Sequence, residues 1–149
     1  MLNVGDSFPD FELSDQDGRI WTKTDLLGSP TVVFFYPKDN TPGCTKEACD
    51  LRDRMPKFAG TKIFGVSPDS VKSHKKFADK FKLEFPLLAD TSKALSEACG
   101  VWGEKSLYGR IFMGVQRTTF LLDSEGKILL VWNKVKVPGH ADDILSKLA

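Results

Sequence analysis

Cys44 closes the run Pro37, Lys38, Asp39, Asn40, Thr41, Pro42, Gly43, which follows an apolar stretch from Thr31 to Tyr36, and Cys49 stands five residues further on. This order builds a helix start around a thiol. Thr41 is an N-cap residue type, Pro42 is preset for the first helical position, and Cys44 then falls at the third. Unpaired backbone N–H groups and the positive helix end favour a thiolate there, the nucleophilic form of cysteine. The two thiols together suggest one that attacks and one that closes a disulfide.

Helix geometry constrains how they can work. Residues five apart in an intact α-helix have Cα atoms roughly 8.5 Å apart and point about 140° away from each other. A disulfide needs Cα atoms within roughly 7 Å. Closure therefore requires the first turns, or the segment holding Cys49, to unwind. The expectation is a folded state poised for attack and a locally unfolded state carrying the bond. If the target is a peroxide, the thiolate attacks one oxygen and negative charge passes from sulfur to the leaving oxygen. Helix N–H groups, the Thr41 hydroxyl and a fixed cation would stabilise that charge. Arg117, immediately before the run Thr118 to Leu122, is the candidate cation.

The elements that must position these residues alternate along the 149-residue chain. Phe11 to Ser14 and Arg19 to Thr22 flank a turn and read as a small hairpin. Thr31 to Tyr36 is apolar on both faces, as a covered central strand would be. The following helix carries an apolar stripe at Ala48, Leu51, Met55 and Phe58 that places Cys44 inward. Ile63 to Ser67 is the next strand, and a second helix runs from about Ser70 to Lys82 with Val71, Phe77, Ala78 and Phe81 inside. Phe85 to Ala89 is edge-like because Pro86 cannot donate to a ladder, and Asp90 to Cys99 makes a short helix ended by Gly100. Val101 to Gln116 reads as loop. Thr118 to Leu122 and Ile128 to Trp132 form a hairpin, and Ala141 to Leu148 a closing helix. The sum is one α/β domain over residues 1–149, a central mixed sheet with helices on both faces, whose sites belong at the carboxyl ends of strands.

Composition narrows the function. A formal net charge of +1 gives no reason to expect nucleic acid or membrane as partner. The start of the chain has neither the basic nor the apolar region of a signal peptide, so the expected compartment is the cytoplasm. Three cysteines without C-x-x-C spacing, and two separated histidines, His74 and His140, fit neither a disulfide scaffold nor a zinc site. His74 and His140 read as hydrogen-bonded packing residues. Cys99 reads as a buried helix-end thiol rather than a second resolving or sensing one. Phe112 and Met113 are candidates for the apolar wall of the site or for core.

With the spacing P-x-x-x-T-x-x-C laid out from Pro37 to Cys44, the chain resembles the peroxiredoxins, and in particular the bacterioferritin comigratory protein or peroxiredoxin Q subfamily. The likeness runs on through Thr45 to Cys49, Gly65 to Ser70, His74, Phe77, Phe85 to Asp90, Gly100 to Gly103 and Arg117 to Phe120. It implies a thioredoxin-like fold and reduction of hydrogen peroxide and organic hydroperoxides, without metal or organic cofactor. Cys44 would be the peroxidatic cysteine, oxidised to sulfenic acid, with Thr41 and Arg117 orienting it and the peroxide, and Pro37 shielding the sulfur. Glu47 matches an acid that helps to hold the arginine, and Gly43 would let backbone approach the substrate. Cys49 would resolve the sulfenic acid within the same chain, and thioredoxin or a similar dithiol protein would reduce the disulfide, in a protein expected to be a monomer. Cys99 stands where many relatives place an aromatic residue. Two other readings remain: a thiol-disulfide oxidoreductase, disfavoured by the missing C-x-x-C, and a redox-sensing protein on the same fold.

Overall fold

The computed structural model describes residues 1–148. The chain opens with the hairpin of Glu12–Ser14 (β1) and Ile20–Thr22 (β2), paired antiparallel. Thr31–Phe35 (β3) is buried at every position. Its alternating side chains explain the layers. Val32 and Phe34 enter one core and Val33 and Phe35 another on the opposite face, so both faces must be covered. Pro42–Arg54 (α1) follows, ended by a 3-10 turn at Met55–Phe58, where Pro56 removes an N–H.

Lys62–Ser67 (β4) pairs parallel with β3, which requires the crossover that α1 supplies. Val71–Phe81 (α2) and the short strand Leu87–Ala89 (β5) come next, then Ala94–Ala98 (α3), beyond which Gly100 turns the chain at φ +73°. Trp102–Leu107 (β6) and Arg110–Val115 (β7) form a separate hairpin. Thr118–Leu122 (β8) and Ile128–Trp132 (β9) return to the main sheet, and His140–Leu148 (α4) packs last. The five-stranded sheet has the order β5-β4-β3-β8-β9, mixed as expected, with β5 on an edge. Buried side chains of α1, α2 and α4 share the core of Val32 and Phe34, whereas α3, Phe8 and the β1–β2 hairpin close the other face.

One expectation fails. The span Val101 to Gln116, read as loop, is mostly the β6–β7 hairpin, joined across Tyr108 and Gly109, both at positive φ. Such a two-residue turn suits the twist of a hairpin, and Gly109 adopts it without strain. Periodicity missed it because the hairpin stands off the main sheet and exposes Leu107, Tyr108, Ile111, Phe112 and Met113. Phe112 and Met113 are thus not core.

Candidate active site

The C-terminal end of β3 hands the chain to Pro37, half-buried, and a short loop leads to α1. Thr41 occupies the N-cap with extended backbone, and Thr45 N–H donates to its carbonyl at 2.8 Å, the first bond of the helix. Its side chain does not cap. The hydroxyl donates instead to Lys38 O at 2.8 Å, and no acidic residue stands in the first turn. The first N–H groups of α1 therefore keep their capacity to bind an anion.

Cys44 sits at the third helical position with 1% of its surface exposed. Arg117, just before β8, lays its Nη2 at 3.1 Å from the Cys44 Sγ. The same guanidinium donates through Nη1 to Glu47 Oε1 at 2.7 Å. Residues 44, 47 and 117 are thus one cluster, and Gly43 makes room for it. A Cβ at Gly43 would come within 3.2 Å of Arg117 Nη2. The missing side chain of Gly43 thus leaves room for the arginine.

The charges in the cluster are held under burial. Burial pushes the Glu47 carboxyl up to about 7, against the opposing pull of Arg117. Its Oε2 has no hydrogen-bond partner among the described residues. For Arg117, burial works against the charged form, but Glu47 and Cys44 outweigh it and hold the guanidinium protonated. Lys105 on β6 is a neighbour that sequence reasoning missed: burial, then Arg117, lower its pKa while Cys44 opposes them, and its Nζ donates to Val115 O at 3.0 Å. Only the β6–β7 pairing brings it here.

The sign of the Glu47 displacement yields a testable effect. A carboxyl at about 7 in the folded chain and 4.5 ordinarily binds its proton more tightly when folded. Both forms are protonated below that window, so stability falls as pH rises through it and the full cost stands above about 7. The displacement is worth roughly 3 kcal/mol. Relative to the parent, Glu47→Gln is expected to gain about 2 to 3 kcal/mol between pH 5 and pH 8, measured by chemical denaturation at each. A pH-independent difference would contradict this.

The remaining thiols are not beside Cys44 in this way. Cys49 is half-buried on α1, and Cys44, Cys49 and Cys99 are all free. Burial raises the Cys49 pKa, with the charges of Arg52, Asp53, Asp50 and Lys46 acting in both directions. Cys99 lies in the core on the other face of the sheet, where burial and then Asp90 push its thiol well up. This fits the buried helix-end reading. His140 shares its Nε2 with the Thr119 hydroxyl at 2.8 Å, and burial pulls it down to about 4. Asp39, Asp69 and His74 place ligand atoms within 4.8 Å of one another. Hydrogen bonds with neighbours and with each other already engage these atoms, which leaves a poor metal cage.

No helix among the described residues is long and apolar enough to cross a membrane. The AhpC/TSA family pattern matches residues 4–131. Peroxiredoxin Bcp of Bacillus subtilis is 45% identical over 149 residues, covering 99% of this chain and 95% of that protein. The Xanthomonas campestris protein of the same name is 48% identical over 141 residues, 93% of this chain and 88% of its own. A solved Xylella fastidiosa PrxQ variant superposes with a TM-score of 0.94 at 37% identity, covering 99% of this chain and 96% of that one. A structure on the alkyl peroxide reduction activity of the Xanthomonas campestris bacterioferritin comigratory protein gives 0.88 at 46%, over 93% and 89%. With the thioredoxin fold these relatives share and a cysteine bound to an arginine at a helix start, the chain belongs to the AhpC/TSA family as a thiol peroxidase, a peroxiredoxin of the bacterioferritin comigratory protein, or peroxiredoxin Q, branch.

Proposed function

We propose that Cys44 is the peroxidatic cysteine, acting on hydrogen peroxide and organic hydroperoxides, and that Cys49 resolves it within the same chain. The observation that carries this is the 3.1 Å approach of Arg117 Nη2 to Cys44 Sγ. A guanidinium in that place stabilises the thiolate. It also faces the oxygen that becomes negative as the sulfur attacks. The S–O bond forms as the O–O bond breaks. The leaving oxygen takes a proton and departs as water or an alcohol, and Cys44 is left as sulfenic acid. Glu47 steadies the arginine from the other side. Pro37 and Thr41 shape the approach, and the uncapped N–H groups of α1 add donors.

Cys49 thiolate then attacks the Cys44 sulfur, and the sulfenic hydroxyl leaves as water after taking a proton. The helix must open for this, since its geometry keeps residues five apart out of disulfide range. A dithiol protein such as thioredoxin returns both thiols by exchange, and a monomer in the cytoplasm, where such reductants keep thiols reduced, suits the cycle. The alkyl peroxide activity of the Xanthomonas relative supports organic hydroperoxides as substrates.

One equivalent of peroxide is expected to convert the reduced chain to a Cys44–Cys49 disulfide, read by peptide mass mapping without reduction. Excess peroxide with a thioredoxin system should then give many turnovers. A bond from Cys44 to Cys99 would overturn the resolving role of Cys49, and consumption that stops at one equivalent would favour the sensing alternative.

A further inference from the structure

We propose that Asp39 and His74 are positioning residues for the peroxide site: as a buried pair they hold the loop from Pro37 to Thr41, and with it the first turn of α1, in the arrangement that presents Cys44. The inference rests on the role of Cys44 proposed above.

The loop is gripped at one residue. Asp39 N–H donates to Asp69 Oδ2 at 2.7 Å, and Asp69 Oδ2 also accepts from Ser67 Oγ at 2.7 Å. The Asp39 carboxylate is met by Tyr36 OH on Oδ1 at 2.6 Å, and by Ser73 Oγ at 2.8 Å and His74 Nδ1 at 2.7 Å on Oδ2. His74 Nε2 lies 3.0 Å from Leu88 O. The protons can be counted from these partners. A carbonyl only accepts, so Nε2 carries a proton, and the Nδ1 to Oδ2 contact holds another between ring and carboxylate. Burial, then the charge of Asp39, pushes the Tyr36 ionisation well above its ordinary value, so its hydroxyl stays a donor.

The pair is sealed from water, with His74 at 0% and the Asp39 side chain at 4% exposure. A buried polar network with every member partnered rigidifies what it joins. Here it joins the last residue of β4 (Ser67), the turn after it (Asp69), the first turns of α2 (Ser73, His74) and β5 (Leu88) to a single loop residue, two positions before Thr41. Asn40 completes the turn at φ +58°. By contrast, α1 lacks a side-chain cap of its own. Its start is therefore oriented from outside, through Asp39.

Two steps of the cycle should respond in opposite directions. Attack needs the loop in place, whereas disulfide closure needs the helix start open. Asp39→Asn removes the charge and one acceptor, so an amide donor must face either Tyr36 or the pair Ser73 and His74, and His74→Gln breaks the link to β5 or to the loop. In either reduced variant, amide hydrogen exchange over Gly43 to Cys49 is expected to rise about tenfold, while the strands β3 and β8 keep their protection. In stopped-flow traces, sulfenic acid formation should slow and disulfide closure should speed up. Ser73→Ala, which removes one donor, should move all three readouts the same way by less. Unchanged exchange at the helix start, exchange raised evenly over the sheet, or both chemical steps slowed together would overturn the proposal. The exchange readout needs no peroxide: a wild-type chain that forms no sulfenic acid would refute the role of Cys44, whereas an active chain whose helix start ignores all three substitutions would refute only the positioning role.

Discussion

Cys44→Ser is expected to reduce peroxide consumption to the uncatalysed background, a loss of at least about a thousandfold, because a serine hydroxyl does not ionise to a comparable nucleophile near neutral pH. The substitution leaves the rest of the site standing. Arg117 can donate to a serine oxygen as it does to the sulfur at 3.1 Å, and Glu47 still holds the arginine at 2.7 Å. The oxygen is smaller than the sulfur and polar, but it gains a charged donor, so the fold should survive with a stability change of about 1 kcal/mol or less. The loss then isolates the nucleophile from the charges around it, which remain to bind peroxide. A coupled assay with a thioredoxin system measures turnover, and circular dichroism checks the fold. Activity above about a tenth of wild type would be incompatible with Cys44 as the attacking thiol and would turn attention to Cys49.

Much of this arrangement was legible in the order of residues, for reasons that are physical. The two-sided apolar run Thr31 to Tyr36 announced a covered central strand, because no other placement hides Val32, Val33, Phe34 and Phe35 together. Pro42 marked the helix start, and the stripe through Ala48 and Leu51 turned Cys44 inward, where its exposure is 1%. Long-range pairings were not legible. Nothing in the run before Cys44 marks a distant partner for Asp39, yet it makes its bonds to Ser73 and His74 more than thirty positions away. A signal was present: a histidine on the inner face of α2 must satisfy both ring nitrogens, and its partner has to come from another element. The β6–β7 hairpin left no apolar period because it has little core to face, and with it Lys105 was missed.

The proposed cycle asks one helix to serve two states, and its two ends are held differently. Its C-terminal half is tied down: Arg52 Nη1 donates to Phe81 O at 2.6 Å, and Arg54 Nε to Asp142 Oδ1 at 2.6 Å. Its start has neither a capping side chain nor an acidic first-turn residue, whereas Ser70 caps α2 by accepting from Ser73 N at 3.1 Å. A missing cap costs a helix on the order of 1 kcal/mol. What holds the first turns is Cys44 in the core, its contact with Arg117, and the loop at Asp39. On the cycle proposed above, oxidation of Cys44 changes the sulfur that Arg117 contacts at 3.1 Å, and so acts on one of these holds at the moment when opening is needed.

Cys49→Ser therefore separates the two halves of the cycle. The variant is expected to consume one equivalent of peroxide at close to the wild-type rate and then to stop, even with thioredoxin and its reductase in excess. Its sulfenic acid should persist long enough to be trapped by a dione reagent and weighed by mass spectrometry, because no thiol on the same face of the sheet can reach it; Cys99 lies in the opposite core. The unsubstituted chain should behave otherwise. In its intact helix, burial raises the Cys49 pKa, so the thiol is a poor nucleophile until the turn between the two cysteines opens and brings it into water. Opening and resolution are then one event. Oxidised wild-type protein should lose amide protection from Gly43 to Cys49, whereas oxidised Cys49→Ser, with no bond to draw the turn apart, should keep most of it. Continued thioredoxin-linked turnover in Cys49→Ser would mean that an external thiol meets the sulfenic acid directly, and the helix would then have no need to unwind.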